Sequence, residues 1–290
     1  MNNHHGGHSN HGSTQPGGLL VSEHGYTLEL DSTILASRRQ TVTFRVIGPD
    51  GRALTGFSPT HEKELHLIAV RRDTAGFQHV HPVMDETGTW RGDLDLTPGD
   101  WRIFADFHPS GHGPMTLGID ASVAGHYEPQ PLPEPVRTAQ AGQYTVSLDG
   151  ELIPGEPSEL TFSVSRNGEP VADLQPYLAA YGHLVALRVG DLAYLHVHPV
   201  GEPGDGITAP GPEILFVATA PSAGLYRLHL DFQSEGVVRT AQFTVQATGP
   251  AHGSSEASRA APGHDDAGSH HPHHRSSGRG GNAPEGKSTR

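Results

Sequence analysis

Apolar and polar residues alternate with a period of two over most of the first half of this chain. Tyr26-Thr27-Leu28-Glu29-Leu30 puts its apolar side chains on one face of an extended segment, and residues 41–47 repeat the pattern. Further strands are expected over 64–71, 77–83, 90–96, 101–107 and 115–123. Turn signals separate them at Pro49-Asp50-Gly51-Arg52, residues 72–76, residues 85–88 and Thr97-Pro98-Gly99-Asp100. No window carries the stripe of an amphipathic helix.

The pattern then begins again. Tyr144–Asp149 echoes Tyr26–Asp31, and Thr161–Val164 echoes Thr43–Val46. His183-Leu184, Arg188 and His196-Val197-His198-Pro199-Val200 match His66-Leu67, Arg71 and His79-Val80-His81-Pro82-Val83 without a gap. The extra length of the second copy falls in the Gly/Pro loop 201–212. Each copy holds about seven short strands, the pattern of a β-sandwich. The fold expected is therefore all-β: two tandem immunoglobulin-like or cupredoxin-like antiparallel β-sandwiches with disordered His-rich tails. The divisions are 1–18 (tail), 19–124 (sandwich), 125–140 (Pro-rich linker), 141–248 (sandwich) and 249–290 (tail).

Composition narrows the chemistry. A formal net charge of −13 with no basic stripe argues against nucleic acid as a partner. Zero cysteines exclude disulfides, thiolate zinc sites and blue-copper centres. No signal peptide is visible at the start, and no stretch is apolar and long enough to span a bilayer. The outlier is histidine, at 22 of 290 residues.

Side chains two apart on a strand point the same way, so each His-Val-His aims two imidazoles into one space. Imidazole is the commonest protein ligand for zinc and copper. A triad recurs, one His opening a strand and two on the strand after it. This gives two candidate metal sites, His66, His79 and His81 in the first copy and His183, His196 and His198 in the second. Asp106 and Asp231, on matching strands, are candidate fourth ligands or orienters of an imidazole. Nitrogen and oxygen donors favour zinc or Cu(II). The tail histidines His4, His5, His8, His11 and those within 264–274 are expected to chelate loosely.

The blocks ELHLIAVRRDTAGFQHVHP, DWRIFADF, GHLVALRVGDLAYLHVHP and YRLHLDFQSEGVVRTAQFTV resemble an actinobacterial-type secreted or heavy-metal-binding family, similar to the YtkA/FixH-like β-sandwich group. The resemblance implies a β-sandwich and a cell-envelope or secreted role in metal homeostasis, with a protein partner in metal handling. Together these readings describe a non-catalytic zinc- or copper-binding protein for sequestration, delivery or resistance. The alternative is a tandem β-sandwich protein-interaction module with structural or pH-sensing histidines. A copper redox enzyme ranks below both, because superoxide dismutases share the His-x-His strand but their bridging His and zinc loop are not recognised here.

Overall fold

Turn-punctuated alternation becomes strand throughout the computed structural model, which describes residues 15–249. Every regular element there is a strand. The two tails lie outside the described residues except at their inner ends.

In the first repeat one sheet runs Ser22–Glu23, Tyr26–Leu30, Arg38–Ile47, Thr89–Leu96, Val83–Met84. The other runs Ile34–Leu35, Met115–Val123, Gly99–Phe107, Leu65–Arg71, Phe77–Val80. All pairings are antiparallel except Ile34–Leu35 against Met115–Val123. The sheets enclose Phe44, Trp90, Trp101, Ile103 and Phe107, the last three from one face of the strand expected over 101–107. The second repeat does the same with Thr138–Ala141, Tyr144–Asp149, Pro157–Arg166, Glu213–Thr219 and His196–Pro199 facing His183–Arg188, Gly224–Ser234 and Val237–Ala247. Residues 138–140, expected in the linker, pair with Tyr144–Asp149 instead.

The two repeats bury a third apolar cluster between them. Ile68, Val70 and Phe104 of the first pack on Val185, Leu187 and Leu192 of the second, flanked by Phe77 and Tyr194. Each sandwich therefore has a sheet that is covered on both faces, which explains the near-continuous apolar runs LHLIAV and HLVALR.

Residues 15–18, expected in the disordered tail, are tied into this junction. The Tyr194 amide donates to the Gly17 carbonyl (2.9 Å) and the Gly18 amide to that of Thr116 (2.8 Å). The buried Arg102 guanidinium donates to the Gly18 and Leu19 carbonyls. Gly18 has φ +74°, and a Cβ there would stand 2.6 Å from the Phe104 ring, so only glycine fits.

One strand breaks where the sequence read it as continuous. Residues 77–83 divide at His81-Pro82, with Phe77–Val80 in the inner sheet and Val83–Met84 in the outer one. Proline has no amide to donate to a ladder, and the chain crosses between sheets there.

Candidate functional site

The sheet register places His66 opposite Asp106 and His79 opposite Ile68, and the crossing at Pro82 brings His81 beside them. One nitrogen from each of His66, His79 and His81 lies within 4.8 Å of the others. Repeat packing then brings in the second copy. His183 sits opposite Asp231, its ring 5.2 Å from that of His66 and 4.7 Å from that of His79. Asp231 Oδ2 meets His79 Nδ1 at 3.0 Å, with both side chains almost wholly buried.

The expected pair of sites, one in each sandwich, is thus one cluster at the junction among the described side chains. It joins His66, His79, His81, His183 and Asp231. Asp106 lies at its edge, accepting hydrogen bonds from the Thr116 hydroxyl (3.0 Å) and the Tyr194 hydroxyl. His198 is exposed, near His61 and apart from the trio. The His196 backbone pairs with Thr219 in the outer sheet, and its side chain lies outside the described set.

The hydrogen bonds fix where the free nitrogens point. His66 Nε2–H donates to the Thr60 carbonyl (3.0 Å), which leaves Nδ1 as an acceptor. That Nδ1 faces His79 Nε2 at 3.0 Å, so His79 is the donor. Its other nitrogen faces the Asp231 carboxylate at 3.0 Å. Thr240 donates to the remaining Asp231 oxygen (2.6 Å). His81 Nε2 is buried without a partner, which in a finished core costs about 1–3 kcal/mol.

Burial keeps these rings uncharged. It lowers His66 to about 3, helped by the neighbouring charge of His79 and opposed by the Thr60 carbonyl. His81 falls to about 4 through burial, His79 and then Lys63. His183 is held well below the usual imidazole range, again by burial first. Burial pushes the Asp106 carboxyl up to about 6 against its two hydrogen bonds. Neutral imidazoles such as His66 and His81 are the form a metal binds.

The donors fit such an ion. His66 and His79 each spend one nitrogen on a carbonyl or carboxylate, as metal-bound histidines do, and turn the other inward. Zinc–nitrogen bonds of about 2.0–2.1 Å put two tetrahedral ligands roughly 3.3 Å apart, close to the present 3.0 Å contact.

Sequence reasoning missed Thr60 and His61. The amides and carbonyls of Thr60 and Lys63 pair with each other (2.8 and 3.1 Å) around a two-residue turn, with φ of 51° at His61 and 66° at Glu62. Two left-handed residues make a primed hairpin turn, which ordinarily signals itself with Asn-Gly, and His-Glu carries no such signal. The turn sets the Thr60 carbonyl against His66 and lays the His61 ring 5.5 Å from His183.

A family model described as a domain of unknown function (DUF8832) matches residues 21–123 and again 138–249, and the chain belongs to that family, in two copies. No curated protein matches. Among solved structures the chain is similar to the Escherichia coli adhesin FdeC (16% identity, 79% of this chain and 65% of that one, TM-score 0.25). It is also similar to the Yersinia pseudotuberculosis adhesin InvE (12%, 81% and 61%, TM-score 0.24). Domains 5–6 of the S-layer protein SbsC give 14%, 77% and 97%, with a TM-score of 0.22. The chain spans less than two thirds of either adhesin, and likeness at these scores carries no argument about function. Among the described residues no helix is long and apolar enough to cross a membrane.

Proposed function

We propose that this two-copy member of the family binds one transition-metal ion, zinc or copper, at the junction of its repeats and serves in metal sequestration or delivery. His66, His79 and His81 are the ligands. Asp231 from the other repeat orients His79, and the His183 ring packs beside the trio without joining it. The observation that carries this reading is the division of labour on the rings, with the outer nitrogens of His66 and His79 held by Thr60 and Asp231 and the inward ones turned towards each other at 3.0 Å. The buried, unpartnered Nε2 of His81 supports it further. A nitrogen-only trio without thiolate suits holding an ion rather than passing electrons.

Melting of the full chain with and without zinc or Cu(II) tests this. Histidines that bind the ion equally in the folded and unfolded states leave the transition in place, whereas a site formed by the fold raises it. The stabilisation is about 2.7 kcal/mol at a hundredfold excess over Kd. A melting temperature that neither metal moves sinks the reading.

A second reading, a protein-interaction module, has its own observation. Ile207 is 90% exposed at the tip of loop 201–212, beside an apolar pocket lined by Tyr181, Pro199 and Leu215. Ile207→Asp separates the two, since it abolishes partner capture and leaves metal binding intact.

A further inference from the structure

The side chains of His66 and His79 are almost wholly buried and His81 less so, and the two repeats leave an opening beside the trio. A cleft of about 330 Å³ opens between them, lined by Glu23, His24, His61, His112, His183 and His198. At its outer side His24 and His112 bring their rings to 5.4 Å. At its inner side the His61 ring lies 5.5 Å from His183 and 6.3 Å from His66, and both of those rings touch His79. Imidazoles therefore line the cleft at its exposed side and at the cluster, with His61 the cleft residue whose ring meets those of His66 and His183. No cleft histidine joins the trio within ligand distance, so the cleft is not a second ready-made site.

The duplication supplies an internal control. The turn at His61-Glu62 recurs at Leu178-Ala179 with φ of 58° and 60° and the matching amide–carbonyl pair between Tyr177 and Ala180. The left-handed backbone belongs to the repeat and by itself says nothing of function. What differs is the side chain: the second copy has a buried leucine where the first has an imidazole in the cleft. His24 likewise falls at Gly142 in the second copy. The imidazoles at both turns occur only in the copy that owns the trio.

We propose that this cleft is the path by which the ion enters and leaves the buried trio, by exchange from imidazole to imidazole, and that His61 is the residue that hands it over. The inference rests on the metal reading above. It makes His61 a transient ligand, on the route and absent from the final coordination sphere.

The test is stopped-flow transfer of zinc to and from the full chain, followed with the chromophore 4-(2-pyridylazo)resorcinol. His79→Ala is subtracted to remove zinc held by other histidines. His61→Asn is the informative variant, because asparagine suits a left-handed turn position and keeps the fold. Its metal-free melting temperature is expected to equal or exceed that of the wild type, and its equilibrium affinity to be unchanged. Loading and release both slow, by roughly tenfold, the scale on which single groups supporting a metal site act. The double variant His24→Ala/His112→Ala slows loading less. Wild-type rates in His61→Asn overturn the path. So does weaker affinity caused by faster release alone, which would make His61 a resident ligand. If wild type and His79→Ala take up zinc identically, the trio is not the site, and the proposed function fails before the path is in question.

Discussion

The two His-Val-His-Pro segments are the same four residues at the same place in two copies of one fold, yet they end on different sheets. In the first copy Phe77–Val80 stays on the inner sheet, so His79 faces the junction and the crossing at Pro82 turns His81 in after it. In the second copy the Leu195 amide still bonds Ala186, but His196–Pro199 has already joined Glu213–Thr219 in the outer sheet. Crossing two residues earlier sends His198 to the surface. The residue that remains on the inner sheet there, Tyr194, gives its hydroxyl to Asp106. Where the first copy has His79 reaching across to Asp231, the second has Tyr194 reaching across to Asp106. The exchange keeps a bridge of similar shape at both places and puts imidazoles at only one of them.

The largest effect expected from this asymmetry comes from comparing His79→Ala with His198→Ala. Losing His79 removes a proposed ligand and strands the Asp231 carboxylate, whose side chain is 4% exposed. Leaving a buried carboxylate without its partner costs about 3–5 kcal/mol. Metal-free His79→Ala should therefore melt well below the wild type and show no upward shift with zinc. A His79→Ala protein that zinc stabilises as fully as the wild type would mean that the two segments are functionally equivalent after all.

Next comes Asp231→Asn, which keeps the shape but weakens the acceptor that orients His79. Loss of such a partner lowers metal affinity about 10–100-fold. Asp106→Asn, at the pseudo-equivalent position bonded to Tyr194, should leave affinity nearly unchanged. Titration calorimetry of both variants reads the difference directly. Equal losses would show that the junction acts as a symmetric electrostatic unit rather than through one oriented imidazole.

Much of the fold was legible beforehand. A period of two over 101–107 puts Trp101, Ile103 and Phe107 on one face and Arg102 and Asp106 on the other, and the structure buries the first set in the sandwich core. The shielding of His66 with Ile68 and Val70 was also readable, because an apolar run without alternation is covered on both sides. The cover itself was not. Local sequence states that a face is buried but not by what, so the second repeat was taken as another separate sandwich rather than as the lid of the first. The crossing point was equally hidden. Both segments read His-Val-His-Pro, and what differs is which ladder the histidines join. That is set by register against strands distant in sequence. His61 escaped notice because its turn is specified by tertiary packing, with no Gly or Asn to announce it.

A smaller effect follows from the charges. His66, at about 3, and His81, at about 4, stay neutral in the folded protein well below the usual imidazole value of about 6.5, as does His183. The unfolded chain takes up protons as pH falls through 6.5 and the folded cluster does not. Stability is thus fully present above that value and declines towards pH 4. Asp106, at about 6, works in reverse. It binds a proton in the fold before it would in the unfolded chain, which adds stability as pH falls through that range. Three imidazoles outweigh one carboxyl, so the metal-free melting temperature should drop between pH 6.5 and 4. His81→Leu should flatten that slope. A steeper slope in the variant would contradict the placement of a neutral His81 in the cluster.

The smallest effect is His198→Ala. His198 is exposed at the edge of the outer sheet, so its removal should change stability by no more than about 0.5 kcal/mol and leave zinc affinity at the junction alone. It also lines the cleft through which the ion is proposed to travel. Its one measurable consequence should therefore be kinetic, a modest slowing of zinc loading with the equilibrium untouched. Loss of equilibrium affinity in His198→Ala would draw the second segment back into the site. The early sheet crossing would then be a feature of the metal-free form rather than the reason the two copies differ.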